Sequence, residues 1–297
     1  MNFWRSKTNR YLSIIVILAS ILIGCVFYVL TQINNNTSQI NQLENALNTT
    51  RNLFEEQKRY ALSLSLLLAE DKEIIESFKE QNRDESFSIV NKKIQTLKML
   101  QNSHFEVQIH NRNLTTYLRN WDISIKDVLL RDFRQGLVKV KKDKKPLVSI
   151  ELGKRLNIKA ISPIMEDNDM IGSLETIIDF EYLSSQLKQK GYTLFVLLDK
   201  KHLNIATELK QQPIYQEYVV VNDVSPVALE HLNLTHLKDY GYVSTPHYSF
   251  SYFAYYDLSH HKLGYILTGI NNEDHVQLNS NYNNTAPYIS KSKVNIE

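Results

Sequence analysis

The sequence is poor in cysteine, proline and glycine. Its 297 residues include one cysteine, six prolines and eight glycines. The only cysteine, Cys25, lies in an apolar run, so the remainder of the chain can form no disulfide and must be stabilised by packing. The net charge of +2 argues against a polyanionic partner such as nucleic acid. With 43% hydrophobic and 22% charged residues, the chain has the composition of one large or two small globular domains.

Motifs of enzymes and cofactor sites are also missing. The sequence contains no nucleophile elbow, P-loop or zinc-protease helix, and so predicts neither an enzyme nor a bound cofactor. His260 and His261, with His231 and His236, match no standard metal-site spacing. The basic run from Lys139 to Lys145 is interpreted as a solvated turn before a strand.

One apolar run is long enough to cross a membrane. Tyr11 to Leu30 contains twenty residues without a charge, which as a helix would span about 30 Å. The basic residues before it are Arg5, Lys7 and Arg10. The positive-inside rule predicts a cytoplasmic N-terminus at 1–10 and an anchor in the cytoplasmic (inner) membrane at 11–31. The rest of the chain, from 32 onward, is then extracytoplasmic or periplasmic.

Two alternatives compete with an uncleaved anchor. A cleaved signal peptide would have a shorter apolar core. A lipid anchor is the more specific alternative, because Leu22-Ile23-Gly24-Cys25 has the form of a lipobox. Both leave the domain outside the cytoplasm. After Thr31 we expect no second span and no output module.

A seven-residue apolar repeat follows the anchor. Its members are Ile33, Ile40, Leu47, Phe54, Ala61 and Leu68, with Leu43 and Leu64 on the same stripe. No proline or glycine interrupts Gln32 to Glu80. The repeat predicts a long helix whose seam, over 33–68, mediates a homodimer or association with another membrane protein. Alternatively, the seam packs on the chain's own domain.

The rest of the chain alternates helical and strand patterns. Helices are expected at 71–81, 85–101, 125–140 and 180–190, a short helix or turn at 113–121, and strands at 105–110, 146–152, 156–164 and 170–177. A second group follows, with strands at 192–199 and 263–270, a short helix at 225–232 and an aromatic stretch at 242–256. The fold class is therefore α+β with antiparallel sheets. The polar segment 273–297 is expected to be disordered.

Several short motifs in a fixed order carry a family resemblance. They are the run from His110 to Asp122, Asp132-Phe133-Arg134, Lys145 to Gly153, and Ile171 to Glu175. With the anchor and long helix, this order resembles the double-Cache sensor domains of bacterial chemoreceptors and sensor kinases, in the subtype called the double sensory domain, over about 32–272.

The resemblance implies two tandem Cache (PAS-like) modules, a membrane-distal one at about 102–190 and a membrane-proximal one at about 191–272. It also implies a small-molecule pocket in the distal module and a role in signal transduction or chemotaxis. Typical members continue into a second span and a signalling region, which is not expected here. The alternatives are an adaptor that binds another membrane protein through the Cache fold, or a truncated receptor.

Seven residues of the distal module are candidates for ligand binding: His110, Tyr117, Arg119, Trp121, Arg134, Glu151 and Glu175. Arg119 and Arg134 are the leading candidates, because guanidinium groups bind carboxylates bidentately. Trp121 and Tyr117 could line the ligand pocket. His110 could donate a hydrogen bond to an anion or sense pH.

The two glutamates could bind an ammonium group or neutralise the arginines. Alternatively, Arg119–Glu151 or Arg134–Glu175 are plain ion pairs and Trp121 is part of the core. Amino-acid-binding members carry a tyrosine at the position of Asp122, after Arg119-Asn-Trp121. This departure leaves a simple carboxylate or another anion as the expected ligand.

Overall fold

A computed structural model describes residues 7–101, 104–235 and 237–272. The expectations for residues 1–6 and for the tail at 273–297 lie outside the described residues. The chain divides into two compact units, Met1–Ala46 and Leu47–Glu297.

The first unit consists of the start of helix α1 (Lys7–Ala69), which continues into the second unit. Its large apolar side chains between Tyr11 and Leu30 are all more than half exposed, reaching 68% at Leu22. A water-soluble surface rarely carries so long an apolar stretch, whereas a bilayer accepts it. Within the described residues, this is the one helix long and apolar enough to cross a membrane.

The second unit is a mixed helix and sheet structure. Its helices after α1 are α2 (Lys72–Lys79), α3 (Arg83–Gln101), α4 (Gln135–Asp143) and α5 (Glu181–Gln189). Its first five strands are β1 (Glu106–Asn111), β2 (Thr116–Arg119), β3 (Leu147–Leu152), β4 (Leu156–Glu166) and β5 (Asp169–Ile178). The last six are β6 (Thr193–Asp199), β7 (Ile214–Tyr215), β8 (Tyr218–Val220), β9 (Tyr240–Ser244), β10 (Tyr248–Tyr256) and β11 (Lys262–Asn271).

The strands form two antiparallel sheets with the same internal order. The first sheet runs β2-β1-β5-β4-β3, and the second runs β7-β8-β6-β11-β10-β9. Leaving out the two-residue β7, each sheet places its first strand beside its last and its third strand at an edge. The expected α+β class with antiparallel sheets is confirmed.

The seam of α1 is buried by the chain's own sheets from Leu47 onward. Leu47, Phe54, Ala61, Leu64 and Leu68 belong to a core cluster that includes strands of both sheets. The Phe54 ring meets that of Phe253 edge-on, with centroids 6.4 Å apart. The alternative interpretation, in which the seam packs on its own domain, is therefore confirmed for this part of the helix.

The first two seam positions differ from the rest. Ile33 is 57% exposed and Ile40 is 52% exposed. Both lie in the first unit. The heptad therefore has one buried part and one exposed part.

Polar contacts fix the sheets on α1. The Thr176 hydroxyl donates to the Ala61 carbonyl at 2.8 Å, and the hydroxyls of Ser65 and Ser162 are 2.7 Å apart. These residues of β5 and β4 mark the helix-facing side of the first sheet. Because strand side chains alternate, the neighbouring positions face away from α1.

Two secondary-structure expectations were wrong. The segment 113–121 contains strand β2 rather than a helix or turn, and Gln108 pairs with Arg119 across β1 and β2. The segment 125–134 is not helical, because the Leu130 amide donates to the Leu114 carbonyl instead of closing a helical turn. Helix α4 begins only at Gln135.

Other elements agree closely with expectation. The β4–β5 hairpin forms, with Asp167 in the left-handed region at its turn. The helix expected at 180–190 is α5, and Gly191 follows it with φ +80°. The short helix expected at 225–232 is a 3₁₀ turn at Pro226–Leu229.

Candidate functional site

The side of the first sheet that faces away from α1 carries a buried polar cluster. Gln108, Arg119 and Glu175 are register partners across β2, β1 and β5, while Lys159 lies on the same side of β4. Helix α4 and the segment before it lie over this side, and their apolar residues form a small core with the sheet. That core contains Leu114, Leu130, Leu137, Val140, Ile161 and Met170.

Arg134 joins two buried carboxylates. Its Nε donates to Glu151 Oε2 at 3.2 Å, and a terminal nitrogen donates to Glu175 Oε1. All three side chains are at most 8% exposed. The other oxygen of Glu151, Oε1, accepts a hydrogen bond from the Ser149 hydroxyl at 2.8 Å. A planar guanidinium suits this arrangement, because its N–H groups can donate hydrogen bonds to two carboxylates at once.

Gly136 makes room for this arrangement. A β-carbon at position 136 would lie 1.9 Å from Glu151 Oε1, which is less than any contact between non-bonded atoms. The glycine therefore lets the carboxylate of β3 approach the first turn of α4, directly after Arg134.

His110 extends the cluster along β1. It is fully buried, its Nδ1 lies 3.1 Å from the Ser173 hydroxyl, and its Nε2 lies 3.5 Å from Glu175 Oε2. Neither Nε2 nor that carboxylate oxygen has a hydrogen-bond partner within the described part of the chain. Burial lowers the pKa of His110, opposed by Glu175, so the imidazole is neutral at pH 7.

The charges of the central pair reinforce one another. Burial alone would raise the pKa of Glu175, but the charges of Arg134 and Lys159 and the contact with His110 together outweigh burial and hold that pKa well below its usual range. Burial likewise opposes the charge of Arg134, whereas Glu175 and Glu151 raise its pKa above the ordinary value. Both groups are therefore ionised at neutral pH, and the pair is fully formed.

The charge of Lys159 is compensated only in part, by the more distant charges of Glu175 and Glu151. Its side chain is 4% exposed, and within the described residues it makes no hydrogen bond or ion pair. Its Nζ lies beside the backbone of Gly153, where an added β-carbon would be 2.9 Å away. Burial, assisted by the nearby Arg134 charge, lowers the pKa of Lys159 to about 8. Burying an ammonium without a hydrogen-bond partner is costly.

Arg119 and Trp121 lie at the edge of the cluster. The Arg119 Nε donates to Gln108 Oε1 at 3.2 Å, and its guanidinium carbon lies 5.6 Å from the centre of the Trp121 ring. Burial lowers the pKa of Arg119. Trp121 is 40% exposed, so it is not a core residue.

Tyr117 lies apart from the other candidates. It packs edge-on against Phe78 with ring centroids 4.8 Å apart, and its hydroxyl lies 3.2 Å from that of Ser86. Burial raises its pKa. These contacts place Tyr117 against α2 and α3.

The structure therefore brings together His110, Arg134, Glu151 and Glu175, with Arg119 and Trp121 at the edge. Of the two ion pairs considered from sequence, Arg134–Glu175 forms, whereas Glu151 pairs with Arg134 rather than with Arg119. Sequence reasoning missed Lys159 and Gln108. The signal for Lys159 was a lysine in the middle of an eleven-residue strand that is buried almost throughout.

Metal binding has no support in the described residues, where no group of three or more His, Cys, Asp or Glu side chains could hold an ion. Of the histidines considered from sequence, His236 lies outside the described residues.

Comparison with known proteins gives one strong match. The family model described as the double sensory domain of two-component sensor kinase matches residues 37–273, which is most of the chain. No curated protein matches the chain.

Solved structures give weaker matches. The extracellular domain of the putative histidine kinase vpHK1S-Z8 has a TM-score of 0.49 and 14% identity, covering 82% of this chain and 99% of that one. The sensor domain of the Vibrio cholerae histidine kinase DctB has a TM-score of 0.47 and 12% identity, covering 78% and 97%. The ligand-binding domain of the Campylobacter jejuni chemoreceptor Tlp3, in complex with 4-methylisoleucine, has a TM-score of 0.43 and 12% identity, covering 82% and 92%.

Proposed function

This chain belongs to the family of double sensory domains of two-component sensor kinases, and we propose that it is a membrane-anchored extracytoplasmic sensor of a small anionic molecule. The family is a sensory domain rather than a catalytic one. In this proposal the two sheets correspond to a membrane-distal module at about 102–190 and a membrane-proximal module at about 191–272.

The single observation that carries the ligand proposal is the buried ammonium of Lys159, which makes no hydrogen bond or ion pair within the described residues. Arg134, Lys159 and the half-buried Arg119 carry three positive charges against the two negative charges of Glu151 and Glu175, so the cluster has an excess of one positive charge. In surroundings of low dielectric constant, such an excess favours a negatively charged ligand. We therefore propose that the ligand is a small carboxylate.

We propose the following roles for individual residues. Lys159 on β4 and Arg119 on β2 are separated by three strand spacings, roughly 14 Å between backbones. Both side chains are long enough to contact a ligand lying between them. Arg134, Glu151, Glu175 and His110 then act as a fixed wall, and Trp121 as a cover at the exposed edge.

Thermal unfolding of the full chain in lipid nanodiscs tests this proposal. The ligands are acetate, lactate, succinate and citrate, added separately. A carboxylate present at a hundred times its dissociation constant should stabilise the protein by about 2.7 kcal/mol. Lys159→Met should abolish that stabilisation, while the matched variant Lys188→Met, at an exposed position of α5, should retain it. The proposal fails if none of the four acids stabilises the wild type, or if Lys159→Met responds as the wild type does.

Membrane orientation is a separate part of the proposal. The apolar run of α1 and the basic residues before it support a cytoplasmic N-terminus and an exported sensor. Alkaline phosphatase fused after Asn272 should then be active in cells. An inactive fusion that is made at normal levels would reverse the orientation.

A further inference from the structure

A second, strongly basic groove lies at one end of the first sheet, outside the buried cluster. It has a volume of about 660 Å³, and its charged lining residues are Lys79, Arg112, Arg131, Lys141 and Glu166. We propose that this groove binds a small polyanion that presents two or more tetrahedral oxyanion groups, such as phosphates or sulfates. The proposal does not depend on the carboxylate site, because the two sites have no lining residue in common.

The charge of the groove is unusual for this chain. Four cations and one carboxylate line it, giving a local excess of three positive charges, whereas the whole sequence has a net charge of +2. Lys79 pairs with Glu166. Within the described residues, Arg112, Arg131 and Lys141 make no ion pair. A concave surface lined by charges of one sign concentrates the electrostatic field and attracts the opposite charge.

The cations come from separate segments that the fold holds together. Arg112 lies in the turn after β1, Arg131 before α4, Lys141 within α4, and Lys79 at the end of α2. The Leu130 amide donates to the Leu114 carbonyl at 3.0 Å, so the segments that carry Arg131 and Arg112 are bonded directly.

Buried neighbours fix the backbone beside these cations. Leu130 precedes Arg131, Val140 precedes Lys141, and both belong to the small core that covers the sheet. The charges are therefore brought close before any ligand arrives, and their mutual repulsion is present in the empty groove. A polyanion would relieve that repulsion at several points at once.

The uncharged residues that line the groove suit the part of such a ligand that lies between its anionic groups. The side chains of Gln81, Asn111 and Asn113 supply amide groups that can bond to hydroxyl groups. Phe78 provides an apolar part of the wall, and its ring fits there because residue 172 is glycine. A β-carbon at Gly172 would lie 2.6 Å from the Phe78 ring.

Monoanions are less suitable than polyanions for this lining. The basic side chains are distributed over four segments, so a single carboxylate could contact only part of the set. Guanidinium groups match the oxygens of phosphate and sulfate in pairs, which favours tetrahedral oxyanions over single carboxylates.

Isothermal titration calorimetry on the full chain in phosphatidylcholine nanodiscs tests the proposal. Tripolyphosphate and sucrose octasulfate are titrated separately, which distinguishes phosphate from sulfate as the recognised group. Binding of either probe supports the shared chemistry. Each of Arg112→Gln and Arg131→Gln should weaken the dissociation constant about tenfold or more, the scale of a charged hydrogen bond.

The double variant Lys200→Gln/Lys201→Gln is the matched control for Arg112→Gln/Arg131→Gln. It removes the same number of charges from an exposed place where both lysines have carboxylate partners, and should leave the affinity unchanged. Glu166→Gln removes the one carboxylate of the groove and should tighten binding several-fold. Lys159→Met should have no effect here, which separates failure of this site from failure of the carboxylate site.

Three results would overturn the proposal. One is the absence of binding for both probes at 1 mM. Another is equal weakening by the control and by the groove variants. The third is tighter binding of hexaglutamate than of either probe, which would indicate an acidic protein segment as the occupant.

Discussion

Glu175 and Thr176 are consecutive on β5 and face opposite sides of the first sheet. Glu175 bonds to Arg134 in the buried cluster, whereas the Thr176 hydroxyl donates to the Ala61 carbonyl of α1 at 2.8 Å. One peptide unit therefore separates the proposed ligand site from the long helix. If β5 moves when a ligand binds, the hydrogen bond from Thr176 transmits that movement to α1. This requires that the ligand binds the protein more tightly with β5 in one position than in the other.

Thr176→Val tests this connection. Loss of the bond to Ala61 should lower the free energy of unfolding by about 1 kcal/mol while leaving carboxylate affinity unchanged. Hydrogen exchange in α1 around Ala61 should then no longer respond to the ligand. Thr96→Val, which removes an exposed hydroxyl bonded to Lys92, is the control and should change neither property. An unaltered exchange response in Thr176→Val would disprove the coupling.

The ammonium of Lys159 should make stability depend on alkaline pH. Its pKa is about 8 in the folded protein, below the ordinary value of 10.5, so between these values the unfolded chain holds more protons. The free energy of unfolding should therefore rise with pH over this window, by about 3 kcal/mol in total from this group. Lys159→Met should lack the rise and should be the more stable protein at pH 7. Parallel unfolding curves for the two proteins between pH 8 and 10 would contradict the prediction.

The same residue should make anion binding pH-dependent. A bound carboxylate raises the pKa of Lys159, so binding takes up a proton when the free protein is deprotonated. Affinity should therefore be constant below about pH 8 and fall about tenfold per pH unit above it. Calorimetric titrations at pH 7, 8 and 9 measure this. A flat profile would remove Lys159 from the ligand contacts.

Arg134→Met should be strongly destabilising. It leaves Glu151 and Glu175 buried without their cation, and breaking a buried ion pair in this way costs about 3–5 kcal/mol. Adding Glu175→Gln should recover part of the loss, because one buried charge is then removed. Arg131→Gln, an exposed arginine three residues away, is the control for chemical denaturation and should cost less than about 0.5 kcal/mol. Equal losses in the two single variants would refute the structural role of Arg134.

Phe54→Ala should distinguish a seam packed within one chain from one shared between chains. Phe54 is buried in the core, so its truncation should cost about 3–5 kcal/mol whatever the protein concentration. Ile40→Ala, on the same seam but exposed, should cost little. A loss that shrinks as the protein concentration rises would instead indicate association through this part of the helix.

Periodicity was a sufficient guide where one face of an element is buried. The heptad predicted the helical stretch after the anchor, alternation predicted β1, and runs of strand-forming residues predicted β3, β4 and β5, all to within two residues. It failed at β2, whose four residues are too few for a pattern and which forms because β1 offers an edge. It failed again at 125–134, where apolar residues at helical spacing belong to a segment bonded to the β1–β2 turn.

Site residues were harder to predict because contact depends on register. That Arg134 and Glu175 meet was one of two pairings open from sequence, and the choice depends on where α4 begins. Lys159 was missed since a single lysine in an apolar strand gives no hint of which side it faces. Whether the seven candidates contact a ligand remains a prediction.

The repeated strand order has a final consequence. Thr176 in β5 and Thr268 in β11 both contact α1 through their hydroxyls, at Ala61 and Thr50. The residue before each faces the far side of its sheet, and it is Glu175 in one case and Leu267 in the other. In the second sheet that far side is filled by apolar and aromatic side chains, including Phe195, Phe250, Tyr252 and Tyr265. The two halves therefore share a strand order but differ on the side that faces away from α1. The first sheet carries buried ionic side chains there, and the second carries apolar and aromatic side chains that, within the described residues, leave no buried charged group to pair with a ligand.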